Sequence, residues 1–316
     1  MAIGGDFELE LNSGLEFHKE AIRLNTGRNA LEYLLRVNNY KKIYTPFYTC
    51  DVVLEPIVKL NVEYEFYNID KSFYPIFNFD KIKSGEVFLY NNYFGICHKQ
   101  IEFVASKTKN LIIDNAQAFY SKPLDNIDTF YSPRKFFGLP DGAYLYTGKF
   151  LNKEIEQDIS YKRFEHLLGR IDTNAEDHFQ TYKSNSKALS NQHIRKMSKL
   201  TQHLLSSIDY ETIADKRNQN FFYTHNKLGS KNQLKLDIDK TTIPMVYPYL
   251  VENGNEIKKT LIDNKIYVAT YWPNVLNWSD VSSFEYYLTN NLLAIPIDQR
   301  YDTNNFKLIL DIINDN

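Results

Sequence analysis

The stretch Leu111 to Thr147, LIIDNAQAFYSKPLDNIDTFYSPRKFFGLPDGAYLYT, decides the fold. Leu111-Ile112-Ile113 and Thr129-Phe130-Tyr131 are short apolar runs with the pattern of buried strands. Each hands over to a polar cluster. The first ends on Asp114, with Gln117 just beyond; the second ends on Ser132, followed by Pro133, Arg134 and Lys135. A Gly138-Leu139-Pro140-Asp141-Gly142 turn leads into a third apolar run, Ala143 to Tyr146. In open α/β sheets, ligands sit outside the carboxyl ends of parallel strands, so Asp114 and Lys135 are expected to face one crevice.

An acid and a lysine so placed have a chemical use. A lysine that forms a Schiff base and an aspartate that keeps a pyridine nitrogen protonated are what a pyridoxal phosphate enzyme requires. The hydroxyl of Ser132 is close enough in sequence to meet a phosphate on the same cofactor. From these residues alone the ordinary alternative stays open: an aspartate capping a helix and a solvated lysine.

Asp114 to Ala118, DNAQA, followed by Ser132 to Ala143, SPRKFFGLPDGA, resembles the DegT/DnrJ/EryC1/StrS family of pyridoxal phosphate aminotransferases. The resemblance implies the α/β architecture of fold type I: a large domain with a mostly parallel central sheet and a small C-terminal α+β domain. The expected division is 1–208 and 209–316. It also implies roles. Lys135 would carry pyridoxal 5'-phosphate as an internal aldimine, Asp114 would hold the pyridine nitrogen, Gln117 would contact the ring hydroxyl side, and Ser132 would bind the phosphate. The expected substrates are an amino-acid donor, glutamate, and a nucleotide-linked keto-sugar of the kind used in polysaccharide biosynthesis. Sites of this type commonly draw on both subunits, so a homodimer is expected. Two other readings are a pyridoxal phosphate enzyme acting on a small amine or amino acid, and a non-catalytic binding protein that keeps the fold.

The bulk properties fit a globular enzyme. With 316 residues, 43% hydrophobic and 24% charged, the chain can bury a sizeable core. A net charge of −2 and a pI near 6.4 argue against a nucleic-acid footprint. Two separated cysteines, Cys50 and Cys97, make neither a disulfide framework nor a metal cluster, and a reducing cytoplasm is the expected setting. The N-terminal stretch lacks a basic segment leading into an apolar one, and no run approaches the roughly 18 apolar residues of a membrane span, so export and membrane partners are not expected.

Taken in order, Phe7 to Leu11 alternates like a short edge strand. Leu24 to Leu31 is a polar, Gly-containing turn entering a helix, whose free N–H groups suit a phosphate. An ordinary capped helix start fits it equally. By resemblance this turn grips the cofactor phosphate, with Gly27 and Asn29 contributing backbone groups. Arg28 replaces a small hydroxyl residue and either binds the phosphate or pairs with an acid. Residues 42–46 read as a strand, 47–59 as a helix and 62–69 as a strand. Tyr48 is the candidate to stack on the pyridine ring, with Cys50 at the family's usual aromatic position. Val87 to Tyr90 is a strand, and Asn91 to Gly95 reads as an ordinary β-to-α loop or, as the resemblance implies, part of the active-site floor. Glu154, Glu156, Asp158, Lys162 and Arg163 read as a solvated face, and Leu189 to Ile208 as a helix. Asp209 to Leu228 is a connecting helix. Beyond it come strands at 243–251, 266–270 and 292–297, helices at 254–264 and 305–313, and Trp272 as a candidate substrate contact.

Overall fold

A computed structural model describes residues 3–315. The first half of the chain builds one sheet. Its strands are β1 (Ile22–Leu24), β2 (Lys42–Pro46), β3 (Glu63–Ile69), β4 (Pro75–Ile76), β5 (Glu86–Asn91), β6 (Leu111–Asn115), β7 (Asp128–Tyr131) and β8 (Ala143–Tyr146). They lie in the order β1-β8-β7-β6-β5-β2-β3-β4. The five central strands from β7 to β3 run parallel, whereas β8, β1 and β4 pair antiparallel at the margins. The helices α1 (Gly27–Asn38), α2 (Leu54–Lys59) and α3 (His98–Lys107) make the crossovers.

Alternation along each strand separates two apolar layers. Val87, Leu89 and Ile112 point to the face covered by α1, where Ala30, Leu31 and Leu34 are buried. Phe88, Tyr90, Leu111 and Ile113 point to the other, an aromatic-rich layer that also takes in Tyr67, Tyr93 and Phe119. Strands buried on both faces read as near-continuous apolar runs, which is why Leu111-Ile112-Ile113 carries no polar alternation.

After β8 the chain forms α4 (Glu165–Asp172), α5 (Phe179–Ala188) and α6 (Lys199–Ser206), then the long α7 (Tyr210–Leu228). The C-terminal part follows: β9 (Val246–Leu250), α8 (Gly254–Asp263), α9 (Val275–Trp278), α10 (Phe284–Asn291), β10 (Leu292–Pro296) and α11 (Thr303–Asn314). Antiparallel β9 and β10 carry Tyr247, Tyr249, Leu293 and Ile295 into a third apolar cluster with Ile257, Leu261 and Phe306. Buried Glu285 of α10 fastens this part to the sheet, accepting from the Ile69 N–H at 2.6 Å and from Asn68 Nδ2 at 3.0 Å. Among the described residues, no helix is long and apolar enough to cross a membrane.

Four sequence expectations are corrected. Residues 7–11 form no strand, and exposed Phe7 and Leu9 show that no sheet edge receives them. The helix expected over 47–59 is only α2, preceded by a 3-10 turn at Asp51–Val53. Residues 47–49 form a bend instead, with the Phe47 N–H bonded to the Tyr67 carbonyl, the Thr49 N–H to the Phe47 carbonyl, and the Thr49 hydroxyl accepting from Asn91 at 2.9 Å. The helix expected over 189–208 is only α6: the preceding residues pair with the edge strand β1 instead, through Asn25 N to Arg195 O, Met197 N to Arg23 O and a bridge between Leu24 and Lys196. In the C-terminal part, 266–270 supplies a single bridge, Ala269 to Ala294, and no strand.

Candidate active site

Strand register brings the polar ends level. Asn91 on β5 lies beside Asp114 on β6, and Asp114 beside Phe130 on β7. By alternation Asp114 shares the α1 face with Ile112, and Ser132 shares it with Phe130. The N-terminus of α1 closes the same side, with the Phe130 ring 3.8 Å from where a Cβ on Gly27 would sit. Sheet and helix end therefore frame one cavity of about 1420 Å³, lined by Gly27, Arg28, Asp114, Gln117, Ser132 and Lys135 among others.

Asp114 is half-buried, and one carboxylate oxygen accepts from the Ala116 N–H at 2.7 Å. Burial pushes its carboxyl up to about 6; the Ala116 N–H and the Lys135 ammonium pull it back only in part. A cation against it would restore the charged form. Lys135 ends a 3-10 turn, Pro133–Lys135, that follows directly on β7, and its exposed side chain lies at the cavity wall. The turn is braced from behind. Buried Arg217 donates to the Phe136 carbonyl at 3.3 Å and to the Met245 carbonyl at 3.1 Å, its guanidinium 4.6 Å over the Phe136 ring.

Gln117 is held by one end. Its Oε1 accepts from the Phe94 N–H at 3.1 Å, while its Nε2 is buried with no partner among the described residues. Gly95, at φ 76°, lets the 93–95 turn approach this point, because a Cβ there would lie 3.2 Å from the Gln117 carbonyl oxygen. Ser132 precedes the 3-10 turn without capping it, which leaves its hydroxyl to the cavity. Thr26 caps α1, and the Gly27 and Arg28 N–H groups lie in the first turn, where no intrahelical acceptor exists.

Two expected site residues are placed elsewhere. Asn29 does not line the cavity: its N–H is taken by the Thr26 hydroxyl at 3.1 Å, and its side chain bonds the Gln192 carbonyl. Tyr48 is fully buried in the aromatic layer, its ring 5.0 Å from Trp272 and 5.5 Å from Tyr93. Thr49 and Cys50, the next two residues, line the cavity in its place. Arg28 lines the cavity and lies 3.4 Å from Glu55 as an ion pair, so it is tied to an acid while its Nε has no hydrogen-bond acceptor. Trp272 also lines the cavity.

The segment after β8 is the larger surprise. Instead of a uniformly solvated face, it roofs the cavity with Phe164, His166, Arg170, Phe179 and Tyr182 from α4, α5 and their approaches. Its root is fixed by Arg163, whose guanidinium lies 2.7 Å from buried Asp158 and 3.8 Å from buried Asp141. Asp141 in turn accepts from the Ser198 N–H and hydroxyl. No distinct sequence signal marks His166 or Tyr182 as cavity residues.

No family model matches the chain, and no curated protein matches it. Solved structures do. The sugar aminotransferase CalS13 from Micromonospora echinospora is 10% identical, with 94% of this chain and 87% of that one covered and a TM-score of 0.63. A DegT DnrJ EryC1 StrS aminotransferase from Brucella abortus is 14% identical, over 93% and 85%, with a TM-score of 0.62. NtdA from Bacillus subtilis, solved with bound cofactor PMP, is 13% identical, over 93% and 72%, with a TM-score of 0.64. At such identities the likeness is one of fold: the chain shares the α/β fold type I architecture of these solved structures.

Proposed function

We propose that this chain is a pyridoxal phosphate-dependent aminotransferase that moves an amino group from an amino-acid donor, glutamate, to a keto-sugar carried on a nucleotide. The observation that carries the reading is the convergence of Asp114, Ser132, Lys135 and the Gly27 turn on one wall of a single cavity. The residues present fit the cofactor. Gln117 Nε2 is a buried donor lacking an acceptor, which a ring hydroxyl would supply, and Asp114 is a carboxyl short of a cation. A volume of about 1420 Å³ exceeds the roughly 300 to 1,000 Å³ of ordinary ligand sites, which supports a second sizeable ligand.

When bound, pyridoxal phosphate supplies an electron sink for negative charge on the donor's α carbon and a carbonyl group that exchanges amines. Asp114 accepts the hydrogen bond of the ring N–H and keeps that proton in place. Ser132 and the first N–H groups of α1 hold the phosphate, where the helix dipole favours negative charge. Lys135 Nζ would take the donor's α proton as a positioned general base and pass it on to the cofactor side as a general acid. Arg217, through Phe136, keeps the Lys135 turn against the strand ends.

Mass-detected screening of nucleotide keto-sugars with glutamate tests this reading. Amination of at least one sugar, dependent on glutamate, is expected; conversion of glutamate without any sugar product would direct the reading to a small amine or amino acid. A homodimer in the cytoplasm belongs to the same proposal, and light scattering that gives a monomer at micromolar concentration would contradict the dimer.

A further inference from the structure

Between the strand ends and the helical roof lies a group of nitrogen donors that the steps above leave unused. Arg134 precedes Lys135. Among the described residues its guanidinium makes one hydrogen bond within the chain, from Nε to the Leu139 carbonyl at 3.3 Å. Its terminal nitrogens have no acceptor there. His166 on α4 is 7% exposed, and its Nδ1 is buried without a partner among the described residues. The imidazole packs on Tyr182 of α5, with ring centroids 5.6 Å apart. Both residues line the cavity, as do Arg28 and Tyr182.

Two of the acids around this group are already engaged, and Glu165, beside His166, is exposed. Glu55 is shared between Arg28 and the Asn191 N–H, and Asp141 is held by Ser198 and Thr201. Burial lowers the proton affinity of Arg134. Tyr182 offsets this, Arg28 lowers it again, Asp141 raises it and Arg163 lowers it. His166 is lowered by burial and then by Arg134; Glu165 opposes the effect and His178 adds to it. The electrostatic deficit is thus negative charge, at a point where the chain offers unpaired donors.

We propose that Arg134 and His166 form an anion subsite for the second substrate, taking a phosphoryl or carboxylate group of the molecule that lies against Lys135. The inference rests on the aminotransferase reading, since it gives the anion a place one residue from the proposed lysine. A guanidinium presents parallel N–H donors to either anion, and a neutral imidazole can add one more. The cofactor phosphate has its own partners on the sheet side, Ser132 and the α1 turn. His166 and Tyr182 come from the roof, on the side where a further ligand would be covered.

Calorimetric titration of the cofactor-loaded protein with inorganic pyrophosphate, and separately with glutarate, tests the subsite. At least one anion is expected to bind, and Arg134→Gln is expected to weaken it at least about tenfold, the range for a charge-assisted hydrogen bond. His166→Gln is expected to weaken it about threefold or more, and serves if the arginine variant does not fold. Loss confined to pyrophosphate assigns the phosphoryl source; loss confined to glutarate assigns the carboxylate source. Unchanged affinities in both variants, or no binding of either anion by the parent, would overturn the subsite. So would weakened cofactor retention in Arg134→Gln with anion affinity intact, which would give the guanidinium to the cofactor. A parent protein that never acquires the cofactor's visible absorbance fails the aminotransferase reading instead, and the same titrations of the cofactor-free protein then decide the subsite alone.

Discussion

The two walls of the cavity are built on different principles. Asp114, Ser132 and Lys135 stand at or just beyond the ends of adjacent strands, where register and alternation fix each direction to one face. The roof is α4 and α5, attached through the Arg163 ion pairs, with the exposed side chains of Leu168 and Ile171 among those that line the cavity. A sheet holds reacting atoms within narrow limits, as proton transfer demands. A helical roof adapts its contacts through a few side chains, which suits recognition of a particular substrate.

Substitutions on the two walls should therefore fail in different ways. The largest effect is expected for Lys135→Ala, which should lower amino transfer about 1,000-fold or more while leaving the fold intact, measured as turnover with glutamate. Asp114→Asn should lower turnover by about 100-fold or more for loss of a charge partner at the reacting ring. It should also change stability in a defined sense. The Asp114 carboxyl of the cofactor-free protein is raised from 3.8 to about 6, so its stabilising contribution is full below about pH 4 and lost as pH rises through about 6. At pH 7.5 cofactor-free Asp114→Asn should be more stable than the parent by about 1 to 3 kcal/mol, and the gain should shrink at pH 4, in denaturant melts.

On the roof, Arg163→Ala should cost about 1.5 to 3 kcal/mol for the hydrogen-bonded ion pair with Asp158. Its kinetic mark should be a raised KM for the sugar with cofactor retention unchanged. An equal fall in kcat would break the distinction between the walls. The smallest effect is expected for Cys50→Ala. The thiol lies at the cavity edge and its pKa is raised by burial, so it is an inert cover, and turnover should change less than about threefold.

The sheet-side wall was legible in the sequence because its signals are local: an apolar run, then a polar residue at the step where the strand ends. Strand ends alone are enough to expect Asp114 and Lys135 at one crevice, whereas a cofactor role for them, and for Gln117 and Ser132, rests on the family resemblance. Tyr48 and Asn29 were misplaced for tertiary reasons. Tyr48 follows a strand that stays extended alongside β3, and Asn29 is claimed by the Thr26 cap. Of the roof only the helical character of 151–187 is legible, not its place over the cavity. In isolation Asp158 and Arg163 look solvated, since their burial depends on Asp141 and Ser198, which lie on two other elements. The stretch before α6 reads as helix by its apolar spacing, yet it is drawn out to pair with the open edge of β1, an interaction no local pattern reports.

The central claim is that Lys135, facing Asp114, is the residue that binds the cofactor covalently. Incubation with pyridoxal phosphate, borohydride reduction and peptide mass mapping test it most directly. A phosphopyridoxyl group on Lys135, absent in Lys135→Ala and reduced in Asp114→Asn, is the predicted result. Label on another lysine, or label that survives Lys135→Ala undiminished, would contradict the account.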